Sequence, residues 1–315
     1  MKLFIFGLGY SSLSIALAAK NAGFSVAGTT RSAEKAEWLK GQGVEAFILC
    51  HPGEGRDPRQ ATSENEGVDA SRSLSRATTR DWHDKLLGVT HILSSIPPQA
   101  DSSSRGAIGD VAIQFLEDLD CFAGARNDGV WLGYLSTTGV YGDWGGAWVD
   151  ENSPLKGNTP RLKARMAAEE QWREKGGHVF RLAGIYGAGR SVLDEVRSGS
   201  ARRIHKPGQF FSRIHVEDIA QVVVASMLKP NPGAVYNVCD DEPAASHEVV
   251  SYACELLGKE PPPLIPYEQA NLSPMAREFY AANRRVKNDR LKHELGVKLK
   301  YPSYREGLKA LLEVA

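Results

Sequence analysis

The chain has 315 residues, a length that suits one large α/β domain or a nucleotide-binding domain with a smaller lobe. Its 42% hydrophobic content supports a proper core, and Lys plus Arg equal Asp plus Glu at 38 each, for zero net charge. That balance argues against a nucleic-acid or membrane-surface protein, which normally carries a basic excess or patch.

The first thirty residues organise the rest. Lys2 to Phe6 is an apolar run of strand length, Gly7-Leu8-Gly9-Tyr10-Ser11-Ser12 follows at once, and Leu13 to Ala19 reads as a helix ended near Gly23. A second strand, Phe24 to Gly28, runs into Thr29-Thr30-Arg31-Ser32. Strand, glycine turn, helix, strand is the dinucleotide-binding unit. Gly7 allows the tight turn, and Gly9 lets backbone approach a pyrophosphate. The amides of Tyr10, Ser11 and Ser12 at the helix start then face that anion. Ser12 occupies the third glycine position, where it is small enough for close packing and could add a hydroxyl.

The end of the second strand bears on the cofactor. A free ribose 2′-hydroxyl usually meets Asp or Glu there, whereas a 2′-phosphate is accommodated by Arg. Here Thr30, Arg31 and Ser32 precede the first carboxylate, Glu34. A guanidinium flanked by two hydroxyls suits a phosphate, so NADP(H) is favoured over NAD(H). The plainer reading is a solvated arginine opening a helix.

Ala33 to Lys40 reads as a short helix and Val44 to Leu49 as a third strand. From His51 to Arg80 the sequence turns polar and Gly/Pro-punctuated, which predicts a flexible surface insertion. Trp82 to Leu87 reads as helical, and Thr90 to Ser95 as a fourth strand closed by Ile96-Pro97-Pro98. Ligands of open parallel sheets sit at that carboxyl edge, so Ser94 and Ser95 are candidate cofactor contacts, with plain turn formation the alternative. Ala107 to Leu119 reads as a helix, and Val130 to Leu135 as a fifth strand ending in Ser136-Thr137-Thr138-Gly139-Val140-Tyr141-Gly142. Cys50, Cys121, Cys239 and Cys254 form no close pair and read as thiols of a reducing compartment. No stretch approaches a membrane span and no signal peptide is recognisable, so the expected location is cytoplasmic.

From here the chain resembles the extended and atypical short-chain dehydrogenase/reductase superfamily, in its epimerase/dehydratase-like branch. The landmarks are the glycine turn, Ser136 to Gly142, Phe180-Arg181-Leu182-Ala183-Gly184-Ile185-Tyr186-Gly187, and Arg213-Ile214-His215-Val216-Glu217-Asp218. Val235-Tyr236-Asn237-Val238 and the tail from Asn283-Arg284-Arg285-Val286 to Gly307-Leu308 continue the series. The resemblance implies a doubly wound parallel Rossmann sheet with a small C-terminal substrate lobe. It places the NAD(P)-binding domain over 1–185, with 213–240 returning to it, and the lobe over 186–212 and 241–315. It also implies a small-molecule substrate, with a homodimer as a family habit.

The family's chemistry uses a Ser/Thr, a Tyr and a Lys four residues after it. Thr137 matches the Ser/Thr. In Pro160 to Glu169, aligned through Ala167-Ala168-Glu169, Arg161 takes the Tyr position and Arg165 the Lys position. Arg does not deprotonate in proteins, so Arg161 cannot replace the acid/base. Arg165 could still hold a ribose or phosphate. Either the two arginines and Glu169 form an i, i+4 charge ladder on an exposed face, or Arg161 and Arg165 enter the cleft and bind an anion. This departure resembles the atypical, YeeZ-like group. Tyr141 is the first substitute acid/base, against a packing role; His215 is the second, against a role bracing the lobes. Tyr186 and Arg190, on the loop towards the substrate lobe, complete the substrate-side candidates. Two functions stay open: an NADP(H)-dependent oxidoreductase or epimerase-like enzyme, and a non-catalytic NADP(H)-sensing regulator.

Overall fold

A continuous apolar strand, β1 (Lys2–Phe6), lies between β2 (Ser25–Thr30) and β4 (His91–Ser94), with both pairings parallel. Its residues alternate between two cores, because successive side chains leave opposite faces of a strand. Leu3 and Ile5 join one cluster, and Phe4 and Phe6 the other. Burial on both faces explains why this strand is apolar throughout rather than alternating. The computed structural model describes residues 1–48, 86, 88–98 and 129–313. The insertion expected over 51–80 and the helices expected over 82–87 and 107–119 lie, apart from Leu86, outside these residues, as do Cys50 and Cys121.

The main sheet adds β3 (Glu45–Ile48), β5 (Trp131–Thr137), β7 (His178–Leu182) and β11 (Val235–Val238), and runs in the order β11-β7-β5-β4-β1-β2-β3. Each neighbouring pair is parallel. This is the doubly wound Rossmann arrangement, and its order reverses between β1 and β4, where such sheets open a ligand crevice. Short parallel pairs lie outside it: β6 (Trp148–Val149) with β13 (Arg285–Val286), β8 (Gly184–Tyr186) with β10 (Arg213–His215), and β9 (Arg203–His205) with β12 (Leu264–Pro266).

On one face, α1 (Tyr10–Asn21) packs beside α5 (Val216–Leu228), burying Ile15, Ala16 and Ala19 with Ile219, Val222 and Val223. α2 (Ala33–Gly41) contributes Leu39 to the same cluster. On the other face, α3 (Pro160–Glu174) buries Ala168 and Trp172, and Trp172 stacks on Tyr134 of β5 with centroids 5.6 Å apart. A side chain of that size buried whole stabilises the fold by about 1.5–3 kcal/mol.

A separate core joins α4 (Val192–Ser198), α6 (Ser246–Leu256) and α9 (Tyr304–Glu313) through Leu193, Val196, Val249, Val250, Tyr304 and Leu308. Tyr280 of α7 (Pro274–Ala281) closes a smaller cluster with Ile204 and Leu272. α8 (Asp289–Leu295) places Leu291 in the main core, on the β11 side. Among the described residues, no helix is long and apolar enough to cross a membrane.

Candidate functional site

The glycine turn is built from backbone constraints. Gly7 sits at φ +86°, a conformation that side-chain-bearing residues rarely adopt, and a Cβ there would fall 2.9 Å from both Ser95 Oγ and Ile96 Cγ1. The Gly7 amide donates to Thr29 Oγ1 at 2.8 Å, and the Leu8 amide donates to the Thr29 carbonyl at 2.7 Å. Ser95 Oγ donates to the Gly7 carbonyl at 2.5 Å, so this serine fastens the turn. Ser94, by contrast, is buried, and its hydroxyl has no hydrogen-bond partner.

Gly9 is the reverse of Gly7: a Cβ there would meet nothing within 4 Å. It is also the N-cap of α1, with no side-chain cap and no acidic residue in the first turn. The leading amides of a helix have no intrahelical partner, so Tyr10, Ser11 and Ser12 present N–H groups at the switch point. The Ser12 side chain itself is buried in the packing. The Tyr10 ring reaches away from the turn, its hydroxyl donating to the Ala188 carbonyl at 3.0 Å and its face lying 5.7 Å from the Arg190 guanidinium. At the end of β2, Thr30 is buried and Arg31 exposed, and Ser32 caps α2 by accepting from the Lys35 amide at 3.2 Å.

The chemistry end opens beyond β5. Thr137 caps a 3-10 turn over Thr138–Tyr141, its Oγ1 accepting from the Gly139 amide at 3.1 Å. A cleft of ≈ 570 Å³ begins there, bounded by Thr137, Thr138, the first turns of α3, Arg190, the Phe210–Ser212 segment, α7 and Arg284. α3 starts cleanly because Thr159 Oγ1 accepts from the Leu162 amide at 3.3 Å and Pro160 occupies the first turn.

Arg161 and Arg165 both line this cleft. Arg161 is exposed and pairs with Glu278 of α7 at 3.6 Å. Arg165 is half-buried, and its Nη1 donates to the Leu135 carbonyl at 3.0 Å and to the Tyr134 hydroxyl at 3.3 Å. Glu169 then turns inward: it is 2% exposed, pairs with Arg181 at 2.8 Å and accepts from the Ser136 hydroxyl. The three residues therefore do not form an exposed charge ladder. Ala168 and Trp172 pull that face of α3 onto the sheet and carry Glu169 with them.

The substitute acid/base candidates lie elsewhere. Tyr141 is wholly buried and is absent from the cleft lining. Its hydroxyl donates to Asn237 Oδ1 at 2.7 Å and accepts from Arg181 Nη1 at 2.9 Å. Burial pushes this phenol up to about 12, outweighing the opposing pull of Arg181 and Asn237. His215 is likewise buried, its ring between Tyr186 at 5.2 Å and Tyr301 at 4.1 Å. Its Nδ1 accepts from the Glu217 amide at 3.3 Å, capping α5, and burial pushes the imidazole down to about 4. Tyr186 is buried too, and desolvation raises its phenol above the usual value. Of the catalytic and substrate-side candidates, Thr137, Arg161 and Arg190 line the cleft, and Tyr141, Tyr186 and His215 do not.

Three features of the site have only faint signals in the sequence. Arg284, legible there only as part of a landmark, lines the cleft and donates from Nη1 to the Gly142 carbonyl at 3.0 Å; burial pushes it down to about 10. Phe210, Phe211, Met275 and Phe279 form an apolar wall. Its sequence signal is Met275 and Phe279, four residues apart on one helix face. The Glu169–Arg181 pair is signalled by a charge inside the otherwise apolar His178-Val179-Phe180-Arg181-Leu182, since a charge there needs a partner.

No family model matches the sequence. A solved structure from Silicibacter pomeroyi, described as a functionally unknown conserved protein, is 43% identical with TM-score 0.78, covering 99% of this chain and 98% of that one. The protein YeeZ of Escherichia coli K12 is 23% identical over 277 residues, 83% of this chain and 85% of YeeZ. The chain therefore belongs to one family with the Silicibacter pomeroyi protein, and it is similar to YeeZ over most of its length. A Streptomyces protein named 3-diazoavenalumate denitrifying reductase is 28% identical over 174 residues, 51% of this chain and 55% of that protein. Against the pattern of the superfamily that the sequence resembles, Arg161 and Arg165 are the departures that any functional reading must accommodate.

Proposed function

We propose that this chain binds NADP(H) and works as an oxidoreductase or epimerase-like enzyme on a small molecule, with an active site that lacks the Tyr-x-x-x-Lys pair. The observation that carries the reading is the glycine turn: an open approach at Gly9 under the uncapped amides of α1, at the point where the strand order reverses. Arg31, with no carboxylate before Glu34, supports the 2′-phosphate form of the cofactor. The Streptomyces relative's name supports reduction over other chemistries of the superfamily. When bound, the nicotinamide would supply or take the hydride. Thr137, at the cleft end of β5, is the hydroxyl suited to orient a substrate oxygen, and Arg165 would steady the ribose from α3.

A second reading is a non-catalytic NADP(H) sensor. It is favoured by one feature: Arg165 is tied to the Leu135 carbonyl and Arg161 to Glu278, leaving no acid/base where the superfamily keeps its own.

Titration of the full chain with NADPH and NADH tests the cofactor. NADPH is expected to bind about tenfold or more tightly, equivalent to ~1.4 kcal/mol, with the preference lost or reversed in Arg31→Asp. Equal affinities in the wild type would sink the Arg31 assignment.

A further inference from the structure

The cleft has two unlike walls. One is cationic: Lys156, Arg161, Arg165, Arg190 and Arg284 line it, and of these only Arg161 has an ion pair among the described residues. Arg284 is the least satisfied, since its Nε is buried without a hydrogen-bond partner. Its depressed but still high proton affinity keeps it charged at neutral pH, so an anion beside it would offset its burial. The other is apolar. Phe279 is 60% exposed and Met275 71% exposed, and Phe279 stacks on Phe211 with centroids 5.4 Å apart and planes at 19°. Large apolar side chains left open on a concave polar-rimmed surface mark a place where something apolar docks.

Two carboxylates also line the cleft. Asp143 is held below the usual carboxylate range by the Asn283 amide and is therefore ionised. Glu278 faces Arg161 at 3.6 Å, with both side chains largely exposed. Such a pair is weak and exchangeable. One carboxylate therefore already stands where a ligand's carboxylate could replace it, beside the stacked ring on the same element.

Resting on the reading of this cleft as the substrate end of a nicotinamide site, we infer that its ligand is an aromatic carboxylic acid. Its carboxylate takes Arg161 from Glu278, within reach of the field of Arg165 and Arg284, and its ring lies against Phe279, Phe211 and Met275. The α7 helix thus reads the ligand twice, through the acid group that it releases and the ring that it stacks.

Calorimetry on the full chain, with and without saturating NADPH, uses 3-phenylpropionate, its uncharged analogue 3-phenylpropionamide, and UDP-glucose as probes. The acid is expected to bind about tenfold more tightly than the amide, as a charge-assisted bidentate contact requires. Arg161→Gln is expected to abolish that advantage, and Phe279→Ala to weaken acid and amide alike by about tenfold. Glu278→Gln removes the internal competitor and is expected to tighten acid binding several-fold. These three side chains are exposed, and an unchanged thermal midpoint in each variant verifies folding.

The inference is overturned if the acid binds no better than the amide, if Glu278→Gln does not tighten binding, or if UDP-glucose binds more tightly than the acid. Absence of binding by every probe overturns it as well. If acid discrimination holds but NADPH does not bind, the nicotinamide reading fails and the ligand class stands. If NADPH binds without acid discrimination, the ligand class fails and the nicotinamide reading stands.

Discussion

Among the described residues, helix α3 carries two ion pairs, one near its start and one past its middle, and the two could hardly differ more. Near its first turn, Arg161 meets Glu278 at 3.6 Å, with side chains 61% and 42% exposed. Two turns on, Glu169 meets Arg181 at 2.8 Å, with side chains 3% and 4% exposed. Both join a carboxylate to a guanidinium, and both tie α3 to another element. The surroundings decide what each can do. The inner pair is bidentate and extended by Ser136, Tyr141 and Asn237, so both charges are saturated within the protein. It holds α3 in register on β5 and β7. The outer pair keeps water as an alternative partner and can exchange for a ligand.

Breaking the inner pair gives the largest expected effect. Glu169→Ala leaves a buried guanidinium uncompensated, and urea unfolding should show a loss of about 3–5 kcal/mol. A loss below about 1 kcal/mol would mean that Arg181 finds water or another acceptor, and the contrast between the two pairs would collapse.

Titration sharpens the same contrast at another buried brace. The His215 imidazole is held near 4 in the folded chain, below its usual 6.5. The folded state therefore binds fewer protons there. This group's contribution is fully present above pH ~6.5 and is lost, by up to about 3 kcal/mol, as pH falls through ~4. Asp218, raised to about 6 by burial, runs the other way in this window, its contribution being lost as pH rises. The difference between wild type and His215→Gln isolates the histidine, and the variant should lose less stability between pH 6.5 and pH 4. Parallel curves would refute a neutral buried imidazole.

The Tyr141 hydroxyl joins the inner network without carrying its charge. Tyr141→Phe should cost about 1–3 kcal/mol in the same unfolding experiment, because Asn237 Oδ1 and Arg181 Nη1 each lose a partner. With the phenol at about 12, no ionisation of Tyr141 should appear in ultraviolet titration below pH ~11.

These differences are unequally visible in the sequence. The cofactor end is legible because it is local: strand, glycine turn, helix and second strand follow within thirty residues, and each carries its own pattern. The Arg161, Arg165, Glu169 spacing places three charges along one side of a helix, but spacing alone does not say which side meets the sheet. Trp172 settles that, since it must be buried and Glu169, three residues before it, shares its side of the helix. The cleft's apolar wall is legible only at Met275 and Phe279, for a different reason. Phe211 meets Phe279 across nearly seventy residues, a contact that no local period encodes.

The smallest stability effect belongs to the outer pair, where function should matter most. Exposed pairs are worth about 0–1 kcal/mol, since water competes and two long side chains must be held still. Arg161→Gln and Glu278→Gln should therefore each shift urea unfolding by less than about 1 kcal/mol, and the double variant should show coupling of only a few tenths. Against aromatic acids the two single variants should separate, one losing affinity and the other gaining it. That opposition is what an exchangeable pair predicts and a structural one cannot produce. If both variants instead lost stability as Glu169→Ala does, Arg161 would be a second brace for α3, and the two pairs would be alike after all.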